Sequence, residues 1–449
     1  MNLDSNVYNK YSEILQKNNN IGTELFSKFN VKRGLRNADG TGVLVGLTEV
    51  GDVHAYIMDE KEKVPVEGRL RYRGIDIFDF VKGFQEENRF GFEECCYLLL
   101  FGELPSNEDL QSFKDLMGSK RELPQGFTED MILKAPSKDI MNKLARAVLA
   151  SYSYDENADD TSIENTLRQT IELIAKFPTM VAHGYQAKIH YHDGQSLYLH
   201  SPKSELSTSE NILHMIRMDS SYTESEAEIL DLALVLHAEH GGGNNSTFAT
   251  RVVSSSGTDT YSAIAAGIGS LKGPKHGGAN IKVMNMMEDI KSNVKNWNSD
   301  SEIEDYLAKI LRKEAFDGSG LIYGVGHAVY TLSDPRAILL KQKAEKLAKE
   351  KGVEDEYNLF TSIERLSPGV FASVKKSDKV VSANVDFYSG FVYKALNIPS
   401  ELYTPLFAIA RISGWSAHLL EELMTGGRII RPAYKNVIGK KNYTPIKDR

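Results

Sequence analysis

The stretch LYTPLFAIARISGWSAHLL, residues 402–420, carries one permanent charge, Arg411, in a run of apolar and small residues. Its pattern predicts a helix over 403–424. Burying an unpaired charge costs several kcal/mol, and a guanidinium does not readily escape that cost by losing its proton. Arg411 therefore requires a carboxylate or phosphate partner, either internal or bound.

Helical periodicity dominates outward from this run. AILLKQKAEKLAKEKG (337–352) sets Ile338, Leu339, Ala344 and Leu347 near one face. KVMNMMEDIKSNVKNW (282–297) repeats the pattern with Val283, Met286, Met287, Ile290, Val294 and Trp297. Further helices are expected over 91–102, 139–152, 163–177, 225–238 and 260–272. The strand candidates are short and early, GVLVGLTEV (42–50) and VHAYIM (53–58), with a charged turn following. The expected class is mainly α with a few short N-terminal strands. Surface loops are expected at 157–162, 199–210 and 295–302, and none of them fixes a domain boundary.

The chain has 449 residues, 41% hydrophobic and 25% charged, which places it among ordinary globular proteins with length for a large core. A net charge of −8 supplies no global basic field for a nucleic acid or an anionic membrane. An anionic ligand must be captured locally, by placed arginines or helix ends. Cys95 and Cys96 are adjacent, so they build neither a disulfide framework nor a metal-ligand spacing, as suits a reducing compartment. The N-terminus is polar with no arginine before Arg33, unlike a secretory or transit segment, and no run has the apolar length of a bilayer span. A cytoplasmic protein is expected.

Five stretches carry candidate chemistry. LKGPKHGGAN (271–280) places His276 just before an expected helix, where the positive end of the dipole disfavours imidazolium. A neutral imidazole there can donate an N–H to a carbonyl oxygen, although a simple loop histidine is the blander reading. HAEHGGGNNS (237–246) ends an apolar helix with His237 and His240 at i and i+3, compatible with a metal pair but lacking the HExxH arrangement. GLIYGVGHAVYTLSDPRA (320–337) puts His327 after glycine and Arg336 behind Asp334-Pro335. That dipeptide reads as a turn or helix start, and a basic residue in a first helical turn is slightly disfavoured, which hints at another task for Arg336. SANVDFYSGFVY (382–393) has Asp386 as its one ionised side chain; an apolar site would raise its basicity, while a helix cap is the structural alternative. RIIRPAY (428–434) sets Arg431 before proline, in extended chain from which it can reach outward.

Taken in order, HAEHGGGNNSTF, GPKHGGAN, GVGHAVY with SDPR, NVDFYSG, ARISGW and RIIRP resemble the citrate synthase family. The resemblance begins at RLRYRGIDIFDF (69–80) and FGELPS (101–106) and ends near Tyr434. It implies a two-domain, almost all-helical homodimer, with a large domain formed by residues 1–278 and 394–449 and a small mobile domain of residues 279–393. It also implies a Claisen condensation of acetyl-CoA with oxaloacetate and hydrolysis of citryl-CoA, with no metal or redox cofactor. By the same resemblance Asp386 is the carbon base, His276 hydrogen-bonds the thioester oxygen, and His327 polarises the oxaloacetate carbonyl. His240, Arg336, Arg411 and Arg431 hold oxaloacetate, Arg431 from the partner subunit, and Gly324, Val325 and Gly326 face CoA. The sequence departs from many relatives at Gly241, Thr331 and Ala433, which puts CoA affinity and fine geometry in question. Lys375 and Lys376 could supply charge toward CoA, or form a solvated pair. A 2-methylcitrate synthase using propionyl-CoA shares these motifs. A non-catalytic acyl-CoA or dicarboxylate binder and a His-dependent metalloenzyme are the alternatives of other classes.

Overall fold

The computed structural model of the chain describes residues 3–37, 39–59, 62–327, 329–377 and 380–449. The chain separates into two compact units, Met1–Leu47 and Thr48–Arg449. In the first, α1 (Leu3–Asn18) and α2 (Glu24–Lys28) precede a short 3-10 turn, Arg33–Leu35, and one antiparallel bridge joins Arg36 to Gly42.

The second unit opens with an antiparallel sheet ordered β1 (Gly51–Asp59), β2 (Glu62–Tyr72) and β3 (Ile75–Asp76). Gly51 pairs with Tyr72 and His54 with Arg69, and the register shifts between His54 and Tyr56. The strand expected at 53–58 is thus part of β1. The one expected at 42–50 does not form: after the bridge at Gly42, residues 43–50 are irregular, with Leu44 and Leu47 exposed. An apolar run makes a strand only where a neighbour can complete the ladder. The turn expected after β1 falls at residues 60 and 61, outside the described residues, and the chain returns as β2. Gly68, Pro65 and several charges hide that strand from a propensity reading.

Helices build the rest. After α3 (Ile77–Glu86), α4 (Phe92–Phe101) and α5 (Asn107–Ser119) come α6 (Ile140–Ser151) and the long α7 (Ile163–Asp193). They are followed by α8 (Thr208–Ile216), α9 (Glu224–His237), α10 (Asn245–Ser254) and α11 (Thr260–Leu271). The next segment holds α12 (Ala279–Asn293), α13 (Asp300–Leu311), α14 (Pro335–Lys351), α15 (Glu354–Lys375) and α16 (Val385–Ala395). The expected helices are present, although α12 stops at Asn293, so Val294 and Trp297 fall beyond the end expected at 297. Only α7 outruns its expected end, continuing through Pro178, whose missing N–H is tolerated amid the buried Phe177, Met180 and Val181.

The final helix, α17 (Tyr403–Met424), is buried at every residue from Tyr403 to Glu422. Helices α4, α7, α9, α10 and α11 pack around it. Trp415 is fully buried there and donates its indole N–H to Ser246 Oγ on α10 at 3.0 Å. The helix that ends at the site, α9, starts with a capping box in which Thr223 and Glu226 satisfy each other's backbone N–H groups. Thr223→Ala should cost about 1 kcal/mol of stability, read as a lower Tm in thermal unfolding. An unchanged Tm would show that this cap contributes nothing.

Candidate active site

α17 presents Arg411 to the C-terminal end of α9. The Arg411 Nε–H donates to the His237 carbonyl at 2.7 Å, and the guanidinium lies over the Phe407 ring at 4.7 Å. Both terminal nitrogens are buried without hydrogen-bond partners. Burial pulls Arg411 down to about 10; the Glu239 carboxylate opposes this and the Arg336 charge adds to it. His237 ends α9 with its ring stacked on Phe407 at 4.2 Å and both ring nitrogens unpartnered. In the turn that follows, His240 meets His327 edge-on at 5.2 Å and Tyr330 at 5.5 Å.

His327 is positioned by a backbone pairing. Val325 bridges Ala383, and the Gly326 N–H donates to the Ser382 carbonyl at 2.7 Å. Asn384 returns two bonds of 2.9 Å, from its N–H to the Gly324 carbonyl and from its side-chain amide to the Gly326 carbonyl. Gly324 has φ +78°, and a Cβ there would stand 2.8 Å from the Phe387 and Val283 side chains, so only glycine fits. His327 Nδ1 accepts from the Val329 and Tyr330 N–H groups at 3.1 and 3.2 Å, which places the ring proton on Nε2. The Tyr330 ring stacks on His327 at 4.9 Å, with the Arg336 guanidinium 5.6 Å from its centre.

Arg336 lies in the first turn of α14 and is gripped by Asp334 through Nε at 3.0 Å and Nη2 at 2.8 Å. The same carboxylate accepts the Arg336 N–H at 3.0 Å and the Val385 N–H, at the start of α16, at 3.2 Å. Burial works against the Arg336 charge, but Asp334, with Tyr330 and Asp386 adding to it, raises the pKa. Asp334 also answers the unfavourable dipole at that helix start.

Asp386 follows one residue later on α16, its N–H capped by Asn384 Oδ1 at 3.0 Å. Burial raises its carboxyl to about 6 against the pull of Arg336, with Asp334 adding to the rise and Arg411 opposing it. His276 sits between α11 and α12. The Ser246 N–H donates to its Nε2 at 3.3 Å, leaving the ring proton on Nδ1, and Ser246 Oγ lies 3.0 Å from the same nitrogen. Burial, then Arg411, lower His276 to about 4, so it is neutral at neutral pH. Both act in the direction expected of a histidine just before the start of α12. His240 is held well below the usual imidazole range by burial, then by Arg336, His327, Arg411 and His276 in turn. That one ring feels all four is the electrostatic signature of a single site.

The chain therefore brings together His240, His276, His327, Arg336, Arg411 and Asp386, with Gly324, Val325 and Gly326 fixed beside them. Arg431 lies in the exposed segment after α17. Among the described residues no group of three or more His, Cys, Asp or Glu side chains is placed to hold a metal, so the His237/His240 spacing is not completed into a ligand set. No helix among them is long and apolar enough to cross a membrane. Buried guanidinium donors without partners suit the carboxylates of a small anion, and a carboxylate poised near pH 6 suits proton abstraction.

The family model "Citrate synthase, C-terminal domain" matches residues 39–433. The chain belongs to the citrate synthase family. Citrate synthase of Haloferax volcanii is 35% identical over 388 residues, covering 85% of this chain and 93% of that protein. The 2-methylcitrate synthase of Shewanella oneidensis is 31% identical over 389 residues, covering 85% and 92%. Among solved structures, the Thermoplasma acidophilum citrate synthase in ternary complex with carboxymethyl coenzyme A and oxaloacetate matches with TM-score 0.74 and 25% identity, covering 93% of this chain and 99% of that one. The protein is accordingly an acyltransferase with the mainly α fold of this family.

Asp334, Tyr330, Ser246 and Glu239 escaped the sequence reading. Asp334 was legible as a helix start, but nothing in SDPR announces that its carboxylate also grips Arg336 and the start of α16. The Asp386 carboxyl keeps its proton up to about pH 6 in the folded protein, whereas the unfolded chain releases it near 3.8. Between those values falling pH favours the folded state, and above about 6 the buried charge costs stability. Asp386→Asn should therefore stabilise the protein at pH 7.5 by on the order of 3 kcal/mol at most, read as a higher Tm, with the gain shrinking as pH falls below 6. A lower Tm at pH 7.5 would contradict the burial argument.

Proposed function

We propose that the protein condenses acetyl-CoA with oxaloacetate and hydrolyses the resulting citryl-CoA to citrate and CoA. The observation that supports this reading most is the buried Asp386 carboxyl, raised to about 6 against the pull of Arg336 and Arg411, the same guanidiniums that lower His240 and, from Arg411, His276. Asp386 removes a proton from the acetyl methyl group while the His276 Nδ1–H hydrogen-bonds the thioester oxygen, so that no free enolate accumulates. The enol carbon attacks the oxaloacetate carbonyl carbon as the His327 Nε2–H moves to that carbonyl oxygen. Water then cleaves the citryl thioester, releasing CoA thiol and citrate. His240 orients oxaloacetate, and Arg336 and Arg411 bind its carboxylates by charge-assisted hydrogen bonds. The Gly324, Val325 and Gly326 backbone faces CoA. No cofactor beyond the acyl-CoA substrate is invoked.

The reading extends to a cytoplasmic homodimer in which residues 279–393 form a small mobile domain and Arg431 of one subunit reaches the oxaloacetate of the other. The Thermoplasma relative with bound oxaloacetate and a CoA analogue supports the substrate pair. The Shewanella relative named 2-methylcitrate synthase supports one competitor, the same reaction with propionyl-CoA.

CoA thiol release with oxaloacetate should show a higher kcat/KM for acetyl-CoA than for propionyl-CoA. A propionyl preference would make the enzyme a methylcitrate synthase, and no release with either would sink the condensation. The kcat/KM for acetyl-CoA should fall below about pH 6 as Asp386 takes up its proton. Asp386→Asn should lose at least ~10²-fold in kcat with oxaloacetate binding little changed. Arg431→Met and Asp386→Asn, each inactive alone, should recover activity when co-expressed, because one mixed site holds both native side chains. No recovery would place Arg431 outside the partner's site.

A further inference from the structure

Arg411, Gly414 and His418 lie on one face of α17, and all three meet the turn His237–Gly241. Arg411 donates to the His237 carbonyl at 2.7 Å, and His418 Nε2 meets Glu239 Oε1 at 3.0 Å. Between them, a Cβ at Gly414 would stand 2.4 Å from Glu239 Oε2 and 2.5 Å from the Ala238 carbonyl. From the opposite side, a Cβ at Gly51 on β1 would stand 2.8 Å from Glu239 Oε1. Two glycines on two elements thus make room for one carboxylate.

Glu239 is 0% exposed. Its Oε1 accepts from His418 and from the Gly241 N–H, while its Oε2 has no hydrogen-bond partner. Behind His418, Arg251 Nη1 lies 2.9 Å from Nδ1. A guanidinium can only donate, so His418 Nδ1 accepts and Nε2 carries its proton to Glu239. Arg251 is itself paired with Glu421 at 2.7 Å and Glu422 at 3.2 Å, so its charge is already balanced. Although burial opposes its charge, Glu239 is held below the usual carboxylate range, first by His418 and then by Arg411, and one turn along the same helix face Arg411 lies buried with two unpartnered nitrogens.

We propose that Glu239 is a positioning residue of the substrate pocket: it anchors the His240 turn on α17 and is the resident counter-charge of Arg411 when no dicarboxylate is bound. The inference rests on reading Arg411 as a clamp for an oxaloacetate carboxylate. Once that carboxylate reaches the Arg411 terminal nitrogens, it takes over the balancing of the guanidinium. The Glu239 charge therefore matters most to the ligand-free protein.

Glu239→Gln keeps the size and the Oε1 acceptor while removing the charge. Ligand-free E239Q should melt at least about 3 °C below wild type, and oxaloacetate should raise its Tm by more than it raises that of the wild type. A purely structural role would lower both states equally, so an equal oxaloacetate shift in the two proteins overturns the counter-charge. The second measurement places E239Q in an Arg411→Met background, where its cost should largely vanish. If E239Q alone fails to fold, folding of the double variant carries the proposal. An undiminished loss in the R411M background, or failure of the double variant to fold, overturns it. If oxaloacetate moves neither Tm, the substrate reading of the pocket falls, and the R411M comparison still decides the role of Glu239.

Discussion

A permanent cation in the middle of a helix buried on every side is the constraint around which this protein is arranged. Arg411 cannot shed its proton at any ordinary pH, even though burial lowers it to about 10, and water cannot solvate it there. The surroundings respond in two ways. Phe407 offers its ring face and the last carbonyl of α9 takes the Nε–H, which fixes the guanidinium without using its terminal nitrogens. Those nitrogens are thereby kept for something other than the fold, which is the difference between a structural ion pair and a binding residue.

The same charge sets the protonation of its neighbours. Arg411 and Arg336 help hold His240 neutral and pull the Asp386 carboxyl back toward ionisation, and Arg411 helps lower His276. Without the two guanidiniums, burial alone would push Asp386 higher still and leave it protonated, useless as a base at neutral pH. With them, one pocket holds neutral imidazole donors and a carboxylate that ionises near 6. Anion capture and proton transfer thus share one electrostatic origin.

Most of the fold was legible because long apolar periodicity is a strong signal, as α14 and α17 show. The failures have local causes. Residues 43–50 carry an apolar run of the kind strands use but are irregular, whereas β2 is a strand by virtue of its hairpin with β1 despite its charges. The candidate site side chains were visible because isolated charges and glycine-flanked histidines are costly choices in an apolar context. Asp334 and Glu239 were not, because each reads as an ordinary polar residue at a helix boundary. Their importance lies in contacts with residues distant in sequence, Val385 for the one and His418 for the other, and no local pattern records such contacts.

The hydrogen bonds also divide the site into two mechanical halves. His327, Arg336 and Asp386 are tied to one another: Val325 pairs with Ala383, Asn384 bonds Gly324 and Gly326, and Asp334 joins Arg336 to the start of α16. His240, His276 and Arg411 are tied together through α9, α10 and α17, by way of the His237 carbonyl and Ser246. If residues 279–393 move as a unit, the first three must travel together without losing their mutual geometry. Opening would then separate Asp386 from His276 while leaving each half internally intact. The buried Asp334 grip on Arg336 keeps that arginine compensated whichever position the segment adopts. Arg411 has no such carboxylate at hydrogen-bond distance on its terminal nitrogens, so its half gains more from an arriving dicarboxylate. That asymmetry makes the Arg411 half the one with buried donors to offer an anion, and the half that carries Asp386 the one whose arginine is already compensated.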